Sequence, residues 1–177
     1  LLLMGSRTSV RRITCHLLEQ GRTLPGFIGD ISYAQSNRER YEGFCQALAD
    51  AGKKVDSSLC LTTPLGIDTY REEIDTFLSS LSRMPDAFVC ASDYVACILM
   101  QLLEKRGLRV PEDVAVSGFD NNTEDLLAEH LTTVQVFNEE LGARLALQIL
   151  YRIKYPNTPH EITYLGTNVL YRDSTGD

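Results

Sequence analysis

The stretch Val110-Pro111-Glu112-Asp113-Val114-Ala115-Val116-Ser117-Gly118-Phe119-Asp120-Asn121 decides how this chain is interpreted. Its short apolar centre, from Val114 to Ser117, lies between a proline and a glycine, which is typical of a strand covered on both faces. Small ligands bind just beyond the carboxyl ends of the strands in an open parallel sheet. Asp120 follows the strand directly and is therefore a candidate ligand-binding residue. The alternative is a structural turn, because Gly-Phe-Asp-Asn also suits a turn.

Strand and helix patterns alternate on both sides of this stretch. Before it, the apolar spacing predicts helices at 10–20, 36–51, 69–82 and 94–105, and strands at 27–28, 58–61 and 87–91. After Asp120, it predicts a polar loop, a strand at 132–135, a helix at 138–153 and strands at 161–165 and 168–171. Such an alternation predicts an α/β fold with a doubly wound parallel sheet.

Several segments, in a fixed order along the chain, resemble the lactose and purine repressor (LacI) family of bacterial regulators. Besides the opening stretch, they are Gly26-Phe27-Ile28-Gly29-Asp30, the Arg-x-x-Gly-Phe helix at 36–44, Pro85 to Asp93, Leu131-Thr132-Thr133-Val134, Glu140-Leu141-Gly142 and Tyr171-Arg172-Asp173-Ser174-Thr175. The resemblance extends over residues 10–175. A match in many parts is more specific than any single short motif.

The resemblance implies a type I periplasmic-binding-protein-like fold, with two doubly wound parallel-sheet lobes joined by crossover strands. It assigns residues 1–23 and 136–160 to a partial N-terminal lobe, and residues 24–134 and 161–177 to the C-terminal lobe. The first lobe is then incomplete, and the family's helix-turn-helix DNA-binding domain is absent from this chain. The family also has a strand and loop before the helix at 10–20, and a deletion or an unrecorded stretch around positions 6–9 would account for their absence.

The composition excludes several classes of function. The net charge of -7 comes without a clustered basic stripe, so we expect this chain alone not to bind DNA. The apolar start, Leu1 to Met4, is too short for a membrane span or a signal peptide. Five cysteines without Cys-x-x-Cys spacing favour neither disulfides nor zinc, and indicate a reducing cytoplasm. We expect no metal and no cofactor.

Three candidate effector-binding residues lie on the helix after the first strand of the C-terminal lobe. Arg40 carries a rigid five-donor fork that suits vicinal hydroxyls or the acceptor edge of a purine, although it could instead pair with Glu39 or Glu42. Ser36 is a predicted N-cap that could also bind a ligand hydroxyl. Arg38 faces a different side of the helix and is either a ligand contact or a solvated charge.

Two further candidates lie in loops at the same predicted crevice. Ser92 stands where the family usually has Asn, so an amide that both donates and accepts is missing there. Tyr33 either stacks on a sugar face or is an ordinary loop tyrosine. Val136 falls where some family members place a polar ligand contact.

The resemblance implies an effector-sensing core of a LacI-type regulator that binds a sugar, a sugar derivative or a purine-like molecule between its lobes. A homodimer is expected, with operator DNA bound only through the missing domain. The alternative is a periplasmic sugar-binding protein of a transport system. We expect no enzyme, because the chain has no Gly-x-Ser-x-Gly elbow, dinucleotide fingerprint or phosphate-binding Gly-Lys-Ser/Thr loop.

Overall fold

A four-stranded parallel sheet forms the centre of the computed structural model, which describes residues 1–66, 68–122 and 129–177. With elements numbered in chain order, the sheet contains β2 (Pro25–Ile28), β3 (Cys60–Leu61), β4 (Ala87–Cys90) and β5 (Ala115–Ser117). Their spatial order is β3-β2-β4-β5. The predicted parallel sheet is confirmed, because every pairing within it is parallel.

Helices cover both faces of this sheet. The core around α1 (Ser6–Glu19) and α2 (Gln35–Asp50) contains Phe27, Val89 and Ala115. The core around α3 (Tyr70–Ser80) and α4 (Asp93–Lys105) contains Ile28, Phe88 and Val116. Successive strand residues thus point to opposite cores, which is the alternation expected of a strand buried on both faces.

Two short strands and the C-terminal turn complete this body. β6 (Thr133–Gln135) pairs antiparallel with β8 (Asn168–Leu170) and continues beside the end of β5 through isolated bridges. In the final turn, the Ser174 hydroxyl donates to the carbonyl of Val116 at 2.6 Å and accepts from the backbone N–H of Thr132 at 2.8 Å. The end of the chain therefore fastens β5 to β6. We call the described residues of 6–135 and 168–177 the sheet lobe.

A second unit is much more open. β1 (Leu2–Met4) pairs in parallel with β7 (Thr163–Leu165), and both are accompanied by α5 (Asn138–Lys154). We call these three elements the α5 unit. No residue of α5 is buried, and its large exposed apolar side chains are Leu145, Leu147, Ile149, Leu150, Tyr151 and Ile153. A helix with an apolar face of this size is normally packed against a partner.

The lobe boundaries differ from those that the resemblance predicted. Helix α1, expected in the N-terminal lobe, buries Val10, Ile13 and Leu17 against the sheet lobe, because its apolar stripe faces Phe27 and Phe44. β7, expected in the C-terminal lobe, pairs with β1 instead. The chain thus passes between the two units at Gly5, near residues 136–137 and near residues 166–167, which gives three connections.

The start of α1 also differs from the prediction. The chain runs from β1 through Gly5 directly into a helix that begins at Ser6, four residues before the predicted start, so Ser9 lies inside the helix. The hydroxyl of Ser9 is within hydrogen-bonding distance of that of Thr167, at 2.7 Å. Among the described residues, no helix is both long and apolar enough to cross a membrane.

Candidate functional site

Arg40 and Asp120 meet at the carboxyl edge of the parallel sheet. Arg40, on α2, has a side chain only 6% exposed, and its Nη2 lies 3.2 Å from Oδ1 of Asp120. Nη1 donates to the carbonyl of Ala91, just after β4, and the guanidinium carbon stands 3.7 Å from the centre of the Phe119 ring. Arg40 therefore joins the ends of β4 and β5.

Asp120 offers a carboxylate that is only partly used by Arg40. Its side chain is 43% exposed. Its backbone has a φ of 110°, a value that residues other than glycine rarely adopt. The backbone N–H of Asp120 donates to the carbonyl of Val134 at 3.1 Å. Burial raises the pKa of Asp120 and Arg40 opposes that rise. The remaining acceptor positions of the carboxylate are available to ligand hydroxyls.

Arg40 itself is a buried cation held by three different groups. Burial lowers the pKa of its guanidinium, while Asp120 and Asp93 oppose that change. Its Nε is buried and has no hydrogen-bond partner within the described part of the chain. An arginine remains charged even in such surroundings. The contact between Arg40 and Asp120 places a balanced ion pair at the sheet edge, and this pairing was not among the alternatives considered from the sequence.

The loop after Asp120 is fixed by groups that the sequence analysis missed. Asp93, buried at the start of α4, accepts from the backbone N–H of Asn122 at 2.8 Å and from the Thr133 hydroxyl at 2.6 Å. Burial raises the pKa of Asp93 to about 6, against these hydrogen bonds. Its signal in the sequence was a carboxylate directly after the β4 strand, within the quoted motif that ends at Asp93.

Asn121 links the same loop to the connection that leaves the sheet lobe. Its Nδ2 donates to Oε1 of Gln135 at 2.6 Å, and its Oδ1 accepts from Nη2 of Arg172 at 2.8 Å. Asn121 has a φ of 51°, in the left-handed region that Asn tolerates better than most residues. The Asp120 loop is thus tied to β6 immediately before the chain crosses to the α5 unit.

The two serine candidates each lie at the start of a helix. Ser92 N-caps α4, because its hydroxyl accepts from the backbone N–H of Val95 at 3.4 Å. Ser36 was predicted to N-cap α2, but the helix begins at Gln35 and Ala34 occupies the capping position. The serine is half-buried in the first turn of the helix.

Tyr33 and Arg38 both present exposed side chains beyond the end of β2, and 76% of Tyr33 is exposed. The turn that carries Tyr33 is built on Asp30, whose Oδ1 accepts from the backbone N–H of Ser32 at 2.8 Å and that of Tyr33 at 3.1 Å. Burial alone would raise the pKa of Asp30, but hydrogen bonds from Ser32, Leu65 and Tyr33 lower it overall. Asp-x-Ser spacing was an available signal for this turn.

The cysteines and acidic residues give no metal site among the described residues, because no three His, Cys, Asp or Glu side chains there could hold an ion together. All five cysteines are free thiols, and Cys90 and Cys97 are buried. The chemistry of the sheet edge is therefore that of a carboxylate, a guanidinium, hydroxyls and an exposed aromatic ring.

Comparison with known proteins identifies the family. A family model described as a periplasmic binding protein-like domain matches residues 14–175. This chain belongs to that family. The transcriptional regulator DegA of Bacillus subtilis is 35% identical over 130 residues, which cover 72% of this chain and 38% of DegA. The transcriptional repressor PurR of Photobacterium profundum is 28% identical over 166 residues, which cover 93% of this chain and 49% of PurR.

A solved structure of the same family agrees with the fold. The complex of the transcriptional regulator CelR with cellobiose superimposes with a TM-score of 0.87 at 28% identity, covering 98% of this chain and 53% of that chain. The resemblance to LacI-type regulators is thus confirmed, together with the periplasmic-binding-protein-like fold. This chain spans about half the length of these relatives, or less. All three are transcriptional regulators or repressors.

Proposed function

We propose that this chain is the effector-binding core of a cytoplasmic LacI-type transcriptional regulator, and that Asp120 is its central ligand contact. The observation that carries this proposal is a half-exposed carboxylate, held against a buried arginine, at the carboxyl edge of a parallel sheet. Tyr33, Ser36, Arg38 and Ser92 lie at the same edge, after β2 and β4. They supply further hydroxyl, guanidinium and aromatic groups.

The proposed effector is a sugar or a sugar derivative. A carboxylate accepts hydrogen bonds from two hydroxyls, an arrangement that suits vicinal hydroxyls on a ring. An exposed tyrosine at the rim provides a flat apolar surface for a sugar face. The relative CelR, named above in complex with cellobiose, supports this choice. A purine-like effector is the second candidate, because a guanidinium such as that of Arg38 also suits a purine acceptor edge.

A ligand screen tests the proposal directly. Thermal shift of the full-length protein is measured with cellobiose, with other mono- and disaccharides and with purine bases, and each hit is confirmed by calorimetry. We expect at least one sugar to raise the melting temperature, because a ligand that binds only the folded state stabilises it. Stabilisation by purines alone would overturn the choice of ligand, and no hit in either class would contradict the effector site.

Two variants test the site itself. Asp120→Ala and Arg40→Ala are each expected to weaken effector binding about tenfold or more, because a ligand hydroxyl or a buried charge loses its partner. The matched control is Asp113→Asn, since Asp113 pairs with Arg109 at 3.0 Å near the opposite end of β5. Wild-type affinity in both alanine variants would make Asp120 only a turn residue.

Regulation would follow from differential binding to two arrangements of the protein. An effector that contacts both lobes stabilises the closed arrangement, and this changes how a homodimer presents its DNA-binding domains. We expect the 177-residue chain to show no operator-selective binding in a gel-shift assay, whereas the full-length protein binds and responds to effector. Light scattering at high micromolar concentration tests the dimer, which a strictly monomeric mass would contradict. A transport function is less favoured, since the relatives compared above are regulators.

A further inference from the structure

Asp93 holds the loop that carries Asp120 from both sides. The side chain is buried, with one carboxylate oxygen accepting from the Asn122 backbone N–H and the other from the Thr133 hydroxyl. The backbone N–H of Asp93 donates to the carbonyl of Phe119 at 2.8 Å. Asp93 therefore contacts the residue just before Asp120 and the second residue after it.

The Thr133 hydroxyl extends this hold to Asn121. A hydroxyl has a single proton, and here that proton is donated to Asp93. Its oxygen accepts from the backbone N–H of Asn121 at 3.2 Å. The direction of this short chain of hydrogen bonds depends on an acceptor at Asp93. Asn121 and Asn122 are thus both fixed through one carboxylate.

The backbone of Asp120 needs such support. A residue with a φ of 110° is strained, and strain of this kind persists only where surrounding contacts determine the conformation. The close approach of Asp93 is possible because residue 118 is glycine. A Cβ at that position would lie 2.2 Å from Oδ1 of Asp93 and 3.0 Å from its Cα.

We propose that Asp93 is a positioning residue for effector binding, which holds Asn121 and Asn122 so that the Asp120 carboxylate faces the ligand. This inference rests on the proposed function, because it assigns a role toward the same effector. Asp93 does not itself contact the ligand in this proposal, and it acts through the loop. Asp93 is only 3% exposed, so a ligand in the crevice has little access to its carboxylate.

The charges around Asp93 show that stability alone does not account for it. The titratable or charged groups that act on it are Asp120 in the loop, Arg40 on α2 and Cys90 on β4. Burial and the negative charge of Asp120 both disfavour its ionised form. An ionised carboxylate at this position lowers the stability of the fold at neutral pH. The Asp93 carboxylate instead fixes the loop, because its two oxygens accept hydrogen bonds from Asn122 and Thr133.

The test is Asp93→Asn in the full-length protein. An amide offers one acceptor and one NH2 group, so either the Asn122 N–H faces a second donor or the Thr133 hydroxyl must reverse. With cellobiose as the first probe and the sugar hits of the screen after it, we expect a dissociation constant about tenfold weaker. The urea midpoint at pH 7.5 should stay at or above that of the wild type.

The matched control is Asp86→Asn. Asp86 lies just before β4, at the opposite end of that strand, and also fixes backbone, accepting from the N–H groups of Thr23 and Leu24 at 2.6 and 2.9 Å. We expect its affinity for the sugar to be unchanged. Equal weakening in both variants, or wild-type affinity in Asp93→Asn, would overturn the positioning role while leaving the effector site intact.

Thr133→Val provides a second variant if Asp93→Asn does not fold. Valine keeps the branched shape but removes the hydroxyl between Asp93 and Asn121, so we expect a similar loss of affinity. A spectroscopic reading without ligand completes the test. The amide proton shift of Asn122 should change in Asp93→Asn, because its carboxylate acceptor is replaced, and should stay at the wild-type value in Asp86→Asn. An Asn122 amide shift that is unchanged in Asp93→Asn overturns the inference even if no sugar binds, whereas failure of the ligand screen alone refutes only the proposed function.

Discussion

The sheet lobe and the α5 unit use apolar residues in opposite ways. In the sheet lobe, helices α1 to α4 bury leucine, isoleucine and valine side chains against both faces of one sheet. In the α5 unit, helix α5 also carries many large apolar residues, but none of its residues is buried. The two regions share a similar sequence pattern. Apolar periodicity therefore predicts that a helix forms, but not what the helix packs against.

The largest expected effect on stability comes from truncating a leucine in the sheet lobe, compared with the same change in the α5 unit. Leu103→Ala on α4 removes a fully buried side chain and should lower the free energy of unfolding by about 2–5 kcal/mol. Leu147→Ala on α5, where 61% of the side chain is exposed, should change it by less than about 0.5 kcal/mol. Urea unfolding of the 177-residue chain measures both. Equal losses would mean that α5 is packed in solution.

A pair of helical glycines sharpens the comparison. A Cβ at Gly43 on α2 would lie 2.3 Å from the backbone carbonyl of Arg7 on α1, so Gly43→Ala should destabilise the fold by about 1–3 kcal/mol. A Cβ at Gly142 on α5 meets no atom within 4 Å among the described residues. Gly142→Ala should therefore stabilise by up to about 1 kcal/mol through helix propensity. The contrast fails if both changes have the same sign in thermal unfolding.

The pH dependence of stability tests the buried carboxylate of the sheet lobe. Because the pKa of Asp93 is about 6 in the fold and 3.8 in its ordinary state, the folded protein binds the proton more tightly between these values. Stability then falls as pH rises, by about 1 kcal/mol from pH 5 to pH 7.5. Subtracting the profile of Asp93→Asn isolates this contribution. A difference profile that is flat, or that rises with pH, would contradict the assigned burial.

The smallest effect is expected for an ion pair on α5. Arg144 and Glu140 lie 4.0 Å apart, one helical turn from each other, and both side chains are mostly exposed. Arg144→Ala should lower stability by no more than about 0.5 kcal/mol, with the loss reduced further in high salt. A loss above about 1 kcal/mol would show that Arg144 has a partner beyond the helix.

The sequence was sufficient to predict the sheet and the position of Asp120 beyond the end of one of its strands, for local reasons. Val114 to Ser117 is short, apolar and bounded by Pro111 and Gly118, and β5 forms there with Asp120 at its end. The lobe boundaries were not predictable in the same way. The apolar stripe of α1 fits either lobe until Phe27 and Phe44 are known to face it.

The sequence offered candidate site residues but not their arrangement. Arg40 and Asp120 were each predicted to contact a ligand, and the structure shows that they contact each other. Asp93, Thr133 and Asn122 are far apart in sequence and carry no motif of their own, so their association appears only once β6 lies beside β5. Long-range hydrogen bonds of this kind depend on register and backbone direction, which local patterns do not specify.

The hydrogen bonds that Ser174 makes to Val116 and Thr132 can form only late in the synthesis of the chain. Ser174 follows Val116, whose carbonyl it satisfies, by 58 residues. At roughly 5–20 residues per second, the ribosome needs roughly 3 to 12 seconds to make that interval. During this delay the outer edge of β5 lacks its final partner, and an open strand edge invites pairing with other chains. A chain that ends before Arg172 would therefore lack the hydrogen bonds by which Ser174 links Val116 to Thr132.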